Sequence, residues 1–210
     1  GLTPAELSRM SFSQLVEWYL IKEAAEFNEL VPNRPGFGDE RKRRMESYEG
    51  GFVYEPTPGL YSDVAVFDFR SLYPTIISSH NISPDMIVYG KDSEDGVLKG
   101  FSFTTERKGF ISTVIENVIN RRQRVKELAR KTSEDKTLEA RQLALKTIAN
   151  SIYGYYGFFG ARWYNIDCAK AITAYGRHHI QEVIGKAKDE GLNVLYSDTD
   201  SVFLALDGKT

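Results

Sequence analysis

Residues 193–206 read Asn-Val-Leu-Tyr-Ser-Asp-Thr-Asp-Ser-Val-Phe-Leu-Ala-Leu, and this stretch decides the fold. Two runs rich in apolar residues flank the polar turn from Asp198 to Asp200, which predicts a β-hairpin. Because side chains alternate along a strand, Asp198 and Asp200 can share one face near the hairpin tip. An Asp-x-Asp turn is more often a solvated hairpin than a metal site, so a metal at this tip needs independent support.

A second carboxylate follows an apolar strand earlier in the chain. The stretch Val64-Ala-Val-Phe-Asp68 predicts a short buried strand that ends in an acid. An unpaired carboxylate is costly to bury, so Asp68 requires a cation or an exposed strand end. The alternative is that Asp68 caps the helix predicted from Leu72 to His80, for which Ser71 is also a cap candidate. Convergence of Asp68 with the hairpin acids would favour a hard, oxygen-bound divalent ion.

Helical periodicity accounts for most of the remaining chain. It predicts an amphipathic helix over 11–30 and another over 167–190, which ends at Gly191. Two long helices, 110–130 and 138–153, are joined by the polar stretch 131–136 and predict an antiparallel helical hairpin. With the strands, this pattern predicts an α+β fold: an antiparallel sheet with packed helices and an inserted two-helix hairpin.

The predicted helical hairpin carries a candidate phosphate site. Arg122 and Lys126 are four residues apart and share a helix face, as do Lys146 and Asn150. If these faces meet, three cations and one amide surround a spot that suits a triphosphate. Backbone amides over 69–72, at a helix start, offer a second anion site beside Asp68. The alternative is a solvent-facing basic helix, which we assign to three other arginines: Arg121, Arg124 and Arg130.

Charge is unevenly distributed along the chain. The net charge of -2 is unfavourable for holding DNA, but residues 107–146 carry eleven basic and five acidic side chains. A further basic run, 41–44, is predicted to be a solvated helix face. With 41% hydrophobic and 27% charged residues, the composition is typical of a globular protein. No apolar run approaches the ~18 residues of a membrane span, and no secretory signal is visible.

Cysteine and histidine are too sparse for a usual zinc site. Cys168 is the only cysteine, which excludes an internal disulfide and fits a reducing cytoplasm. The three histidines are His80, His178 and His179, and the adjacent pair would point about 100° apart on a helix surface. We therefore expect any bound metal to have oxygen ligands.

Four motifs, taken together, resemble one known family. Asp68-Phe-Arg-Ser-Leu-Tyr-Pro-Thr-Ile-Ile resembles the first palm motif of family B DNA polymerases, and Lys146-Thr-Ile-Ala-Asn-Ser-Ile-Tyr-Gly resembles their fingers motif. Tyr196-Ser-Asp-Thr-Asp-Ser resembles the second palm motif, with Ser197 where glycine is commonest. Tyr48-Glu-Gly-Gly is similar to the element between the editing and synthesis domains. The motifs stand in the family's order, and the text near Tyr48 and Asn81 is most similar to the archaeal branch.

The resemblance implies a domain organisation. Residues 1–47 correspond to a helical segment and linker from the end of the exonuclease region. Residues 48–109 and 158–210 form the two parts of the palm, and 110–157 form the fingers hairpin. The thumb, amino-terminal and exonuclease domains are expected to be absent, so no proofreading is expected from this piece.

The resemblance also assigns roles to individual residues. The catalytic carboxylates are Asp68, Asp198 and Asp200. Asp68 and Asp200, with the Phe69 carbonyl, would hold two Mg²⁺ ions, for which Mn²⁺ can substitute. Tyr73 matches the steric gate against ribonucleotides, and Tyr153 matches the ring that packs on the new base pair. The full nucleotide-binding set is Ser71, Leu72, Tyr73, Arg122, Lys126, Lys146, Asn150 and Tyr153. The DNA-binding set is Tyr48, Gly50, Gly51, Gly154, Tyr196 and Thr199.

These roles describe template-directed DNA synthesis from deoxynucleoside triphosphates. The implied partners are a DNA primer–template, dNTPs, the thumb and exonuclease portions, and a sliding clamp bound through absent regions, without a membrane. The implied location is the cytoplasm, at the nucleoid. One alternative is another palm polymerase, such as a reverse transcriptase or RNA polymerase, although these lack the Lys146–Gly154 motif. The other is a non-catalytic DNA-binding or assembly fragment, which the intact motifs oppose and the absent thumb supports. Residues 1–210 alone are expected to extend a primer poorly while keeping the magnesium site.

Overall fold

The structure is a computed structural model that describes residues 2–132 and 135–206. Within these residues the chain alternates between helical and strand segments. The helices are α1 (Pro4–Ser8), α2 (Phe12–Glu26), α3 (Phe37–Arg43), α4 (Leu72–Ser79), a 3₁₀ turn (Pro84–Met86), α5 (Phe110–Lys131), α6 (Lys136–Tyr156) and α7 (Ile166–Asp189). The strands are β1 (Val53–Tyr54), β2 (Val64–Asp68), β3 (Ile87–Tyr89), β4 (Phe101–Phe103), β5 (Asn193–Asp198) and β6 (Ser201–Ala205).

A four-stranded antiparallel sheet carries the two acidic stretches. Its strand order is β1-β5-β6-β2, and β3 pairs with β4 in a separate two-stranded sheet. The hairpin of β5 and β6 is the one predicted around the Asp-Thr-Asp turn. In the register of this sheet, Ser201 lies opposite both Asp198 on β5 and Asp68 on β2. The end of β2 therefore lies beside the hairpin tip.

Strand β2 is present at the predicted residues, but the prediction that it is buried was wrong. Val64, Val66 and Phe67 are 39%, 55% and 59% exposed. The physical reason is position, because β2 lies at the sheet edge and hydrogen-bonds to β6 on one side. Helix α7 packs instead on the two central strands, β5 and β6.

The face of the sheet beneath α7 forms a small apolar core. Ile180 and Ile184 from the helix meet Val194, Val202 and Leu204 from the strands. These strand residues lie on the face of β5 and β6 that packs against α7. The pairing of the two strands has a register shift between Val194 and Tyr196. This packing attaches the acidic hairpin to the longest helix of the described residues.

A larger core joins the helices. Helices α5 and α6 pack against each other, and α4, α2 and α7 cover them. The predicted helices 110–130 and 138–153 correspond to α5 and α6, which run one residue and three residues further toward the C-terminus. Part of the predicted connector, residues 133 and 134, lies outside the described residues. The helix predicted over 11–30 ends earlier, at Glu26, and Ser11 caps it by accepting from the Gln14 amide.

The basic run 41–44 is more than the solvated helix face that its composition predicted. Arg41 and Lys42 are exposed, but Arg43 donates to the carbonyl oxygens of Phe159 and Ala161, at 3.1 and 3.0 Å. The Arg43 guanidinium also lies 4.5 Å from the centre of the Tyr164 ring. This contact ties α3 to the loop after α6, and only tertiary packing could reveal it. None of the helices in the described ranges combines the length and apolar character that crossing a bilayer requires.

Candidate active site

Sheet pairing brings two of the predicted carboxylates together. The backbone N–H of Phe69 donates to the carbonyl of Asp200 at 2.8 Å, so Asp68 lies directly beside the hairpin turn. Burial, followed by the neighbouring carboxylates of Asp68 and Asp198, raises the pKa of Asp200. Carboxylates that repel each other in this way form an oxygen-donor set that fits a hard divalent cation.

Asp198 occupies a different position from the other two acids. It is exposed at the end of β5, where its carboxylate accepts from the Thr199 hydroxyl at 2.8 Å and the Tyr196 hydroxyl at 3.4 Å. Among the described residues, Asp68 and Asp200 supply the carboxylates that line the adjoining cleft. Asp198 therefore contributes negative charge from beside the cleft.

The cleft has a volume of about 410 Å³ and joins the sheet to the helix pair. Its acidic wall comes from β2 and the hairpin turn, and its basic wall comes from α5 and α6. The predicted phosphate-binding residues and the predicted metal-binding residues thus line the same cleft. The lining residues are Asp68, Phe69, Arg70, Ser71, Leu72, Tyr73, Pro74, Arg122, Lys126, Lys146, Asn150, Thr199 and Asp200.

The Arg122 guanidinium is held in place at this wall. Its Nε donates to Gln142 Oε1 at 3.0 Å, and one terminal nitrogen donates to the Ser71 hydroxyl at 3.2 Å. The sequence analysis did not single out Gln142. Its spacing carried a signal, however, because Gln142 lies four residues before Lys146 and shares that face of α6.

Two non-glycine residues at the cleft have left-handed backbones. Ser71 has φ 58° and Thr199 has φ 57°. Such conformations cost on the order of 1–3 kcal/mol and concentrate at functional sites. Ser71 precedes α4 as predicted, but its hydroxyl forms no cap bond and accepts from Arg122 instead. Ser71 is therefore the N-terminal cap residue of α4, as predicted, but without a capping hydrogen bond from its side chain.

Three tyrosine rings line up beside the cleft. The Tyr48 hydroxyl donates to the Tyr153 hydroxyl at 3.2 Å, and the Tyr73 and Tyr153 rings have centroids 4.4 Å apart. Burial and this hydrogen bond raise the pKa of Tyr153. Burial and the Asp200 carboxylate raise the pKa of Tyr73. The rings remain neutral at physiological pH and present an apolar surface next to the acidic wall.

The Tyr48–Gly51 loop lies directly against the acidic turn. The Thr199 amide donates to the Phe52 carbonyl at 2.9 Å. At Gly51, an added Cβ atom would lie 2.7 Å from the Thr199 hydroxyl oxygen. The absence of a side chain at Gly51 therefore permits the close approach of this loop to Thr199.

Helix α7 holds the same loop from the other side. Arg177 donates to the carbonyl oxygens of Glu49 and Gly50 at 3.0 and 2.7 Å, and Thr173 donates to Glu49 at 2.8 Å. Neither Thr173 nor Arg177 was among the predicted site residues. Their spacing of four places them on one helix face, but the identity of their partner required the tertiary structure.

The remaining predicted DNA contacts lie close to these elements. Tyr196 is on β5, and its ring packs against Phe203 with centroids 5.4 Å apart. Gly154 follows Tyr153 on α6, and no atom lies within 4 Å of where its Cβ would be. The three arginines predicted to face solvent are all exposed: Arg121, Arg124 and Arg130.

An antiparallel sheet whose acids line one cleft with a cationic helix pair is an arrangement that suits a phosphate ester and divalent cations. The family model described as DNA polymerase family B matches residues 7–210. The chain belongs to DNA polymerase family B.

Individual relatives place it near archaeal members. Over 97% of its length, the chain is 42% identical to DNA polymerase 1 of Pyrococcus abyssi and 44% identical to the DNA polymerase of Thermococcus gorgonarius. It is also similar to the solved structure of the family B DNA polymerase from Pyrobaculum calidifontis, with a TM-score of 0.73 and 40% identity over 95% of the chain. The chain spans 27% of the length of each of these relatives. These findings confirm the predicted family and the predicted sheet with packed helices.

Proposed function

We propose that this chain is the catalytic core of a DNA-directed DNA polymerase, which transfers a nucleotide from a dNTP to a primer 3′-hydroxyl. One observation carries the proposal. The carboxylates of Asp68 and Asp200 and the side chains of Arg122, Lys126 and Lys146 line a single cleft. A triphosphate with its divalent cations needs both walls.

The acidic wall suits Mg²⁺. Asp68 and Asp200, with the Phe69 carbonyl, offer the oxygen ligands that this hard cation prefers. Two bound ions would supply the Lewis acidity that lowers the pKa of the primer hydroxyl and neutralises the leaving pyrophosphate. Asp198, from its exposed position beside the pair, adds negative charge that favours cation binding.

The basic wall suits the triphosphate. Lys126 and Lys146 act as point charges, while the guanidinium of Arg122 is oriented by Gln142 and Ser71. Asn150 adds amide donors, and the backbone of Ser71 and Leu72 lines the same cleft. Because the Arg122 guanidinium is held before substrate arrives, it reduces the cost of positioning the reacting phosphate.

The tyrosine rings and the glycine loop suit the sugar, the base pair and the template. Tyr73 lines the cleft, and as a steric gate its ring would leave no room for a ribose 2′-hydroxyl, which would favour deoxynucleotides. Tyr153 offers a ring face to the new base pair, a contact that tolerates any base. Tyr48, Gly50 and Gly51 would meet the template backbone. Gly154, Tyr196 and Thr199 would meet the primer–template close to the reacting end.

This function carries a domain proposal. The two sheet-forming parts, 48–109 and 158–210, correspond to the palm, and the helix pair within 110–157 corresponds to the fingers. Residues 1–47 form the helical connection that precedes them. The substrates are a DNA primer–template and dNTPs, and the place of action is the cell's DNA.

The proposal is tested with Asp68→Asn and Asp200→Asn. Each removes one negative charge from the acidic wall, so Mn²⁺ affinity, measured by electron paramagnetic resonance, should fall about tenfold or more. In the complete polymerase, primer extension should fall at least about a hundredfold.

The matched control is Asp189→Asn, which alters an exposed carboxylate at the end of α7. This variant should bind Mn²⁺ and extend primers like the parent. Normal extension by either cleft variant would overturn the assignment of the acidic wall.

A further inference from the structure

The second half of α7 carries a cluster of ligating side chains that the polymerase site does not use. His178, His179 and Glu182 each offer a ligand atom, and these atoms all lie within 4.8 Å of one another. His178 and Glu182 are exposed, while His179 is half-buried. His178 and Glu182 are one helical turn apart, the spacing at which two side chains on a helix can chelate one ion.

The geometry differs from what the sequence alone suggested. Adjacent histidines should diverge by about 100° around a helix, which argued against their binding one metal ion together. In the structure, however, the rings of His178 and His179 have centroids only 5.5 Å apart. Two imidazoles bound to one ion at about 2.1 Å place their ring centres roughly 5–6 Å apart. Glu182, which the sequence analysis did not consider, supplies a third ligand atom.

The cluster lies beside a second cavity, separate from the acidic cleft. This cavity has a volume of about 620 Å³, and His80 and Tyr175 belong to its lining. The His80 ring stacks on Tyr175 at 3.6 Å, and its centroid lies 5.8 Å from that of His179. The His80 and Tyr175 rings therefore pack near His179 and restrict its motion. One ligand of the cluster is therefore preordered by the fold.

The donor set selects the class of ion. Two imidazole nitrogens and one carboxylate suit Zn²⁺ and other first-row transition cations, whereas Mg²⁺ prefers oxygen ligands. A competitor is present, because Glu182 Oε1 forms an ion pair with Lys186 Nζ at 2.9 Å. Both partners of this pair are largely exposed, and exposed pairs of this type are weak. A divalent ion can displace the lysine or use the second carboxylate oxygen.

We propose that His178, His179 and Glu182 form a binding site for Zn²⁺ or a similar transition cation, separate from the Asp68–Asp200 cleft. Three protein ligands leave one tetrahedral position for water. The ligand atoms of the three side chains lie within 4.8 Å of one another. Tetrahedral binding requires them to approach to about 3.4 Å, which small side-chain rotations supply. This proposal does not depend on the proposed polymerase activity.

The test is metal titration of the 210-residue chain in excess Mg²⁺, which occupies the acidic cleft. Zn²⁺ binding is followed by calorimetry, and Co²⁺ binding by its visible absorption. His178→Gln and Glu182→Gln should each weaken binding about tenfold or more. Lys186→Met, which removes the competing cation, should tighten binding. Asp189→Asn, which alters an exposed carboxylate outside both sites, should leave Zn²⁺ binding unchanged. The primer-extension test uses different variants, so failure here and failure of the polymerase site are distinguishable.

The control is Glu190→Gln, which alters another exposed carboxylate, at the C-terminal cap of the same helix. It should bind Zn²⁺ and Co²⁺ like the parent, and circular dichroism should show equal helix content in all variants. The proposal is overturned if the parent chain does not bind Zn²⁺. It is also overturned if the His178 and Glu182 variants bind Zn²⁺ as tightly as the parent.

Discussion

At the scale of single residues, the contact between Gly51 and Thr199 shows how closely the loop and the acidic turn approach. A Cβ at Gly51 would lie 2.7, 3.2 and 3.3 Å from three side-chain atoms of Thr199. Thr199 has little freedom to retreat, because its amide is bonded to Phe52 and its hydroxyl to Asp198. The neighbouring Gly50 faces open space, with no atom within 4 Å of its added Cβ.

The adjacent glycines Gly50 and Gly51 allow a matched comparison of stability. Gly51→Ala should lower the free energy of unfolding by about 1–3 kcal/mol, because the methyl group forces the loop and the turn apart. Gly50→Ala should change it by less than about 0.5 kcal/mol. Urea unfolding of both variants measures the difference. Equal stability of the two variants would show that the loop and turn do not meet as described.

Residue chemistry was the most predictable aspect of the site. Asp68, Asp200, Arg122, Lys126, Lys146 and Asn150 were all identified from spacing and residue type, and all line one cleft. Gln142, Thr173 and Arg177 were not, because a polar residue on a helix gives no indication of its tertiary partner. Asp198 was predicted to be a catalytic acid outside the metal-ligand set, and in the structure it is exposed at the end of β5.

At the scale of elements, the start of α5 is set by a close contact. An added Cβ at Gly109 would lie 2.5 Å from the Ser83 Cβ and 2.7 Å from the Met86 Cγ. Gly109 is buried and forms the N-terminal cap of α5, where its amide donates to Asn81 Oδ1 at 2.8 Å. The 3₁₀ turn therefore fixes where this long helix can begin.

Two glycine-to-alanine variants test this arrangement in opposite directions. Gly109→Ala should destabilise the chain by about 1–3 kcal/mol, because its methyl group has no room and alanine is a poor helix cap. Gly185→Ala, in the interior of α7 with nothing within 4 Å of its Cβ, should stabilise it by about 0.5–1 kcal/mol. Thermal and urea unfolding measure both changes. A stable Gly109 variant would contradict the packing of α5 on the 3₁₀ turn.

Element type was well predicted, and element environment was less so. The periodicity of α5, α6 and α7 and the apolar runs of β2, β5 and β6 identified these elements close to their observed ends. The exposure of β2 could not be predicted, because an apolar run has the same composition at a sheet edge as at its centre. The contacts of α3 were missed for a related reason, since a basic helix gives no sign of the carbonyls it will meet.

At the scale of the whole molecule, tyrosines are a notable part of the helical core. Tyr156 is fully buried, and its hydroxyl donates to the Ile82 carbonyl at 2.9 Å. Burial raises the pKa of Tyr156 well above its ordinary value, and burial raises the pKa of Tyr175 to about 12. Each neutral tyrosine contributes stability below the unfolded pKa of about 10, and this contribution is lost as pH rises above it.

The consequence is a specific alkaline sensitivity. The free energy of unfolding should decline above about pH 10, by up to ~1.4 kcal/mol per pH unit for each such tyrosine. At roughly pH 8, Tyr156→Phe should lower the free energy of unfolding by about 1 kcal/mol, because the Ile82 carbonyl loses its partner. Above pH 10 the free energy of unfolding of this variant should decline less steeply than that of the parent. Urea unfolding of the parent and the Tyr156→Phe variant, at roughly pH 8 and above pH 10, measures both effects. Parallel curves for the variant and the parent would contradict the assignment.

The sequence by itself determined the family, the element types and the residues able to bind metal and phosphate, because periodicity and motif spacing are local properties of the chain. The tertiary structure decided which of these residues meet. Strand register placed Asp68 beside Asp200, packing of α7 placed Arg177 on the Gly50 loop, and side-chain arrangement on that helix brought His178, His179 and Glu182 together. Such contacts depend on packing in three dimensions, and for the first two the partners are distant in sequence, so no local pattern specifies them.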